Sequence, residues 1–74
     1  MVFEKVQKII CEQFELEADR VTMESNLISD LGADSLDVID LAMSIEDEFD
    51  IEVPDDEIDN IKTVGDIVKF IDEH

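Results

Sequence analysis

Apolar residues recur at helical spacing in three stretches of this chain, and this pattern limits the possible folds more than any other feature. The cleanest stripe lies near the carboxyl end, where its members fall at i, i+3, i+4 and i+7. They are Val64, Ile67, Val68 and Ile71. Further helices are predicted over residues 2–14 and from about residue 35 to about residue 50. The pattern therefore predicts an all-α protein.

Capping residues indicate where two of these helices begin. Asp34 is a candidate N-cap with Asp37 three residues later, which is an acidic variant of the capping box. Thr63 and Asp66 repeat this arrangement before the last helix. Gly65, near the start of that last helix, predicts a close approach of a neighbouring helix.

Pro54 interrupts the chain between the second and last main helices. Asp55 or Asp56 can begin a short helix there. Residues 15–34 form a long connection without sustained periodicity. We therefore expect a small four-helix bundle, with three main helices and one short helix, in which residues 1–74 form a single domain. A chain of this size buries only about 60% of its unfolded surface.

The second helix carries two apolar stripes that lie about 130° apart around its axis. The first stripe comprises Val38, Leu41, Ala42, Ile45 and Phe49, and the second comprises Leu36, Ile39 and Met43. If this helix packs on two sides, both stripes are buried. If it packs on one side, the second stripe is an exposed docking strip bordered by acids. The acidic border favours docking.

The charge of the chain is strongly negative. It has 22 acidic residues against 5 basic ones, which gives a net charge of -17. Residues 21–61 contain fourteen acids and neither Lys nor Arg. Nucleic acid phosphates would be repelled, so we exclude nucleic acid as a partner. Partners with basic surfaces are favoured, because opposite charge speeds encounter.

Cys11 is the single cysteine, which excludes an internal disulfide and favours a reducing compartment such as the cytoplasm. No apolar run approaches the ~20 residues that a membrane span needs. We also expect no signal peptide. The chain is expected to be a monomer, and its terminal residue, His74, is expected to fray.

Ser35 falls in the first turn of the second helix, where free N–H groups and the helix dipole favour a phosphoester. The residues of a serine hydrolase are absent, since Leu36 and Asp37 follow the serine and His74 is the only histidine. An EF-hand loop begun at Asp30 lacks the required Gly and Glu, and no Cys/His cluster offers zinc ligands. We expect neither catalysis nor a specific metal site.

Two segments carry a resemblance to a known family. They are Asp30-Leu31-Gly32-Ala33-Asp34-Ser35-Leu36-Asp37 and Glu46-Asp47-Glu48-Phe49-Asp50. Both closely resemble the acyl carrier proteins of dissociated (type II) fatty acid synthesis. The opening helix, the break around Pro54 and the start of the last helix look like that family too, so the resemblance covers essentially the whole chain.

The resemblance implies that Ser35 carries a 4'-phosphopantetheine, installed from coenzyme A by a holo-carrier synthase (a phosphopantetheinyl transferase). The terminal thiol of this arm would bear the growing acyl chain as a thioester. The implied partners are acyl and malonyl transferases, ketosynthases and other enzymes of fatty acid synthesis with basic surfaces.

The resemblance also assigns residues to two surfaces of the carrier. The implied docking residues are Asp34, Leu36, Asp37, Ile39, Asp40, Met43, Glu46 and Asp47. The implied acyl pocket is lined by Leu41, Ile45, Ile61 and Ile67. Val38 and Ala42 stand where other residues are common in the family. Both positions are on the core-facing side of the second helix, so they affect the expected size of the acyl pocket.

Three functions stay open at this point. The first is a fatty acid carrier, and the second is a carrier for a polyketide or another specialised acyl pathway. The third is an unmodified acidic interaction module, whose function would survive Ser35→Ala. The order Gly32-Ala33-Asp34-Ser35 differs from the Gly-Gly-x-Ser form typical of peptidyl carriers.

Overall fold

The structure, a computed structural model, describes residues 2–73, so the expected fraying of His74 lies outside the described residues. The helices are α1 Val2–Phe14, α2 Ser35–Phe49, α3 Asp55–Asn60 and α4 Val64–Asp72. A short 3-10 helix, Ala18–Arg20, interrupts the long connection. The predicted architecture of three main helices and one short helix is confirmed.

The core forms where α1 packs against both α4 and α2. Aliphatic side chains from all three helices and from the connection are fully or almost fully buried there. They include Val6, Ile10, Val21, Leu27, Leu41, Ile45, Val64 and Ile67. Burying one such side chain contributes roughly 1.5–3 kcal/mol, so this cluster holds the helices in place.

The long connection is fastened to the junction between α3 and α4. The Leu27 N–H donates to the Lys62 carbonyl at 2.9 Å, and the Gly65 N–H donates to the Met23 carbonyl at 2.9 Å. The close neighbour of Gly65 is therefore the backbone of the connection, and not another helix as the sequence suggested. The segment that leads to α2 is thereby tied to the α3–α4 junction.

Both predicted capping boxes are present. Thr63 caps α4, with its hydroxyl accepting from the Asp66 N–H at 3.2 Å and the Asp66 carboxylate accepting from the Thr63 N–H at 3.1 Å. The short helix α3 begins at Asp55 after Pro54, which provides no side-chain cap. None of the helices in residues 2–73 combines the length and the apolar character that crossing a membrane requires.

Candidate functional site

Ser35 is the first residue of α2, directly after its N-cap. Oδ1 of Asp34 accepts from the Asp37 N–H at 2.9 Å, and Oδ2 of Asp37 accepts from the Asp34 N–H at 3.1 Å. Ser35 itself is exposed, and its hydroxyl forms no hydrogen bond within residues 2–73. The serine hydroxyl is thus free at the positive end of a 15-residue helix.

The loop before Ser35 is held in a fixed path. Gly32 has a φ of +77°, a conformation that residues with a side chain adopt at a cost. Ala33 is 4% exposed, and its N–H donates to the Leu27 carbonyl at 2.8 Å. The tight turn and the buried alanine therefore fix where α2 begins and where the serine is presented.

The second apolar stripe of α2 lies on the surface. Leu36 is 71% exposed, Ile39 42% and Met43 59%. Of the two interpretations of this stripe, burial on two sides is wrong and an exposed strip is confirmed, since no element within residues 2–73 covers it. Ile28 of the connection, which is 57% exposed, adds an apolar side chain that sequence reasoning did not single out. Contiguous exposed apolar side chains are typical of interaction sites.

Acidic side chains border this stripe. Asp34, Asp40 and Asp47 are exposed, whereas Asp37 and Glu46 are partly buried. All five therefore reach the surface, as a recognition role requires. Together they give this face of α2 a negative potential that attracts basic partners.

The four residues predicted to line an acyl pocket lie around one apolar cavity in the core. Within residues 2–73, the side chains that line it are Val38, Leu41, Ala42, Ile45, Val53, Ile61, Ile67 and Phe70. The cavity has a volume of about 10 Å³, which is room for a single water-sized sphere. Val38 and Ala42, the two departures from the family pattern, both line it.

Sequence reasoning missed two members of this lining, Val53 and Phe70. Phe70 follows Ile67 by three residues on α4, so helical spacing could have placed it on the same face. Val53 precedes Pro54 in an irregular segment, and no periodic signal marks it.

A cleft opens on the surface beside Ser35, between α2, α3 and the connection. It is lined by Asn26, Ile28, Ser35, Val38, Ile39, Ile58, Asp59, Ile61 and Lys62, and its volume is about 290 Å³. Val38 and Ile61 line both this cleft and the core cavity. These two side chains therefore form the wall between the cleft that contains Ser35 and the core cavity.

Metal-ligating groups and the single thiol are the remaining side chains that could carry chemistry. In residues 2–73, no group of three His, Cys, Asp or Glu residues is arranged to hold a metal ion. Cys11 lies partly buried on α1. Burial, and then the negative charges of Asp19 and Glu12, raise the pKa of the Cys11 thiol, which lowers its reactivity.

Known proteins match this chain over nearly its full length. The family model described as "phosphopantetheine attachment site" matches residues 4–71. The chain is 53% identical over 74 residues to an acyl carrier protein of Clostridium acetobutylicum, covering 100% of this chain and 96% of that protein. It is also 53% identical over 72 residues to an acyl carrier protein of Phenylobacterium zucineum, covering 97% of this chain and 91% of that protein.

A solved structure agrees with these matches. It is a proposed acyl carrier protein from Mycobacterium tuberculosis, with a TM-score of 0.91 and 35% identity, covering 99% of this chain and 97% of that chain. The chain belongs to the acyl carrier protein family. It accordingly contains an attachment site for 4'-phosphopantetheine, as the resemblance implied.

The residues of this carrier fit such a group. Phosphopantetheine joins a carrier through a phosphodiester, which needs an accessible hydroxyl, and the Ser35 hydroxyl is exposed. A helix N-terminus favours the negative charge of a phosphodiester. The cleft beside Ser35 approaches the roughly 300 Å³ at which small-molecule pockets begin.

Proposed function

We propose that this carrier bears growing fatty acyl chains as thioesters on a 4'-phosphopantetheine arm joined to Ser35, and that it delivers them to the enzymes of fatty acid synthesis. The placement of Ser35 supports the proposal most strongly. Its hydroxyl is exposed at the first residue of α2, between an exposed apolar stripe and a cleft. When attached, the arm supplies the thiol that holds the acyl chain.

We assign Ser35 the role of anchor. Its position in the first turn puts the phosphodiester near backbone N–H groups that have no partner within the helix. The capping box formed by Asp34 and Asp37 keeps this turn helical, and the carbonyl of Asp37 also accepts a hydrogen bond from Nε2 of Gln13 on α1 at 3.1 Å. These contacts hold the anchor still while the arm moves.

We assign the docking of partner enzymes to the exposed stripe Leu36, Ile39 and Met43. The acids assigned with it are Asp34, Asp37, Asp40, Glu46 and Asp47. Apolar side chains in the centre and charges at the border suit brief, specific contact. The acids raise the rate of encounter with basic surfaces without requiring tight binding. The expected partners are a phosphopantetheinyl transferase, acyl and malonyl transferases, and ketosynthases.

We assign shelter of the acyl chain to the cavity around Leu41, Ile45, Ile61 and Ile67. At about 10 Å³ the cavity does not accommodate an acyl chain, so its walls must separate before one enters. Burial of each CH₂ group gains about 0.8 kcal/mol, which can offset the cost of that separation. Val38 and Ile61 are the side chains that must move if entry is from the cleft.

We further propose that residues 1–74 act as one carrier domain, as a monomer without catalytic activity, and in the cytoplasm. The absence of a histidine near Ser35 in the sequence supports a carrier in which partner enzymes perform the chemistry. The single cysteine is compatible with a reducing compartment.

The proposal is tested by charging the phosphopantetheinylated protein with malonyl or acyl groups. One reaction uses purified malonyl transferase and ketosynthase of a fatty acid synthase, and a parallel reaction uses the enzymes of a polyketide pathway. The mass of the intact protein is measured after each reaction. We expect an acyl increment that hydroxylamine removes, since hydroxylamine cleaves thioesters. Charging only by the enzymes of a polyketide pathway would favour the second carrier function, and an absence of charging with both sets would overturn the proposal.

A further inference from the structure

Lys62 has an unusual position in this acidic molecule. It is the first basic residue after a segment, residues 21–61, that contains fourteen acids and no base. It lines the cleft that also contains Ser35. Among residues 2–73, no other basic residue lines this cleft. The positive charge in this cleft is therefore supplied by Lys62.

The backbone of Lys62 is held from both sides. Its N–H donates to Oδ2 of Asp66 at 3.0 Å, and its carbonyl accepts from the Leu27 N–H at 2.9 Å. Its side chain is exposed and forms no ion pair with a carboxylate of residues 2–73. The backbone of Lys62 is therefore held in place, while its ammonium group is available to a ligand in the cleft.

A phosphodiester on Ser35 would add a negative charge where negative charges are already dense. Asp34 and Asp37 flank the serine in sequence, and Asp59 lines the same cleft. Like charges repel, and the repulsion weakens the compact arrangement unless a positive charge compensates. Lys62 is the side chain in the cleft that can compensate.

The remaining lining suits the rest of the arm. Ile28, Ile39 and Ile58 give the cleft apolar walls, and the Asn26 side chain adds hydrogen-bonding groups. The portion of phosphopantetheine next to the phosphate has the same mixture, with two methyl groups, a hydroxyl and an amide. Charge and polarity therefore favour one occupant, the covalently attached arm.

We propose that Lys62 is a positioning residue for the arm: its ammonium group pairs with the phosphodiester on Ser35 and holds the adjoining part of the arm in the cleft. This inference rests on the proposed function, because it requires attachment at Ser35. Lys62 raises the ratio of the seated arm to the free arm. An exposed ion pair of this kind changes that ratio by about 2- to 5-fold.

The test compares unloaded and phosphopantetheine-loaded protein by ¹H–¹⁵N correlation spectroscopy, with loading verified by intact mass. The variants are Lys62→Gln and a matched control, Lys69→Gln, which removes the same charge from α4. Lys69 lines a different groove, with Glu57 and Glu73. Spectra of the unloaded variants establish that each remains folded.

In the wild type, we expect loading to shift the amide signals of Asn26, Ile28, Ile39 and Lys62 as well as those next to Ser35. In Lys62→Gln, the shifts at the cleft should shrink as the seated-to-free ratio falls about 2- to 5-fold, whereas Lys69→Gln should behave like the wild type. The inference alone would be overturned if both proteins load and the cleft shifts in Lys62→Gln equal those in the wild type. It would also be overturned if loading shifts only the signals of residues next to Ser35. Failure of the wild type to load would instead overturn the proposed function.

Discussion

Asp34 and Asp37 exchange hydrogen bonds across the first turn of α2, each carboxylate accepting from the backbone N–H of the other residue at 2.9 and 3.1 Å. Ser35 lies between them. The same two aspartates are assigned to partner docking, so each combines a structural and a recognition role. Charge reversal at Asp37 would therefore disturb the helix start together with the surface charge.

Replacing Asp34 tests the cap. We expect Asp34→Ala to lower the free energy of unfolding by about 1 kcal/mol, because the Asp37 N–H loses its side-chain acceptor. Asp34→Asn keeps an oxygen acceptor at the same place and should stay close to the wild type. Urea unfolding at neutral pH measures both. Equal stability of Asp34→Ala and the wild type would contradict the structural role of this cap.

The recognition role is better tested at Glu46, whose side chain takes no part in a cap. We expect Glu46→Lys to slow association with a basic-surfaced phosphopantetheinyl transferase about 2- to 10-fold at low salt, because steering by charge is weakened. The difference should diminish as salt is added. Asp72→Lys makes the same charge change at the end of α4 and serves as the control. Equal rates for the two variants would argue against docking along α2.

We expect substitution by alanine to lower the stability of the protein at both Gly65 and Gly32, for different reasons. A Cβ on Gly65 would lie 2.9 Å from the Met23 carbonyl oxygen, so the connection would have to shift. A Cβ on Gly32 would meet nothing within 4 Å, but φ there is +77°. We expect Gly65→Ala to cost about 1–3 kcal/mol through overpacking and Gly32→Ala about 1–2 kcal/mol through backbone strain. Thermal or urea unfolding checks both values, and an unchanged or higher stability of Gly65→Ala would contradict the close contact.

The sequence predicted the helices well because their signals are local. The two capping boxes, Asp34 with Asp37 and Thr63 with Asp66, lie within single turns, and the apolar stripes show which faces turn inward. The path of the connection was not predictable in this way. Its anchoring through the Gly65 N–H and the Met23 carbonyl joins residues far apart in sequence, and no local pattern encodes such a pairing.

Asp66 makes the stability of α4 dependent on pH. Burial on its own raises the pKa of this carboxyl. Three hydrogen bonds, from the backbone N–H groups of Lys62 and Thr63 and from the Thr63 side chain, lower the pKa, as does the positive charge of Lys69. Together they outweigh burial, so the pKa lies below its ordinary value. A lowered folded-state pKa stabilises the fold above the unfolded-state value, near 3.9, and this contribution is lost as the pH falls through the folded-state pKa.

We therefore expect the difference in unfolding free energy between wild type and Asp66→Asn to be constant from about pH 5 to 7 and to shrink below about pH 4. Comparing the two proteins cancels the effect of the other acids. Urea unfolding across this range measures the difference. A difference that does not change down to about pH 3 would show that the Asp66 charge does not stabilise the cap.

The site was predictable where chemistry depends on residue type and position along one helix. Ser35 at a helix start and the stripe of Leu36, Ile39 and Met43 follow from α2 alone. The cleft was not predictable, because Ile28 and Lys62 come from separate segments that only the fold brings beside Ser35. The exposure of the stripe also required the structure, since the pattern alone fits burial on two sides.

The central claim is that the hydroxyl of Ser35 is the attachment point. The most direct measurement is the intact mass of the protein before and after incubation with coenzyme A and a broad-specificity phosphopantetheinyl transferase, performed on the wild type, Ser35→Ala and Ser29→Ala. Ser29 is an exposed serine in the connection and controls for loss of a nearby hydroxyl. We predict one phosphopantetheinyl increment on the wild type and Ser29→Ala, and none on Ser35→Ala. An increment on Ser35→Ala, or none on a folded and initially unmodified wild type, would contradict the claim.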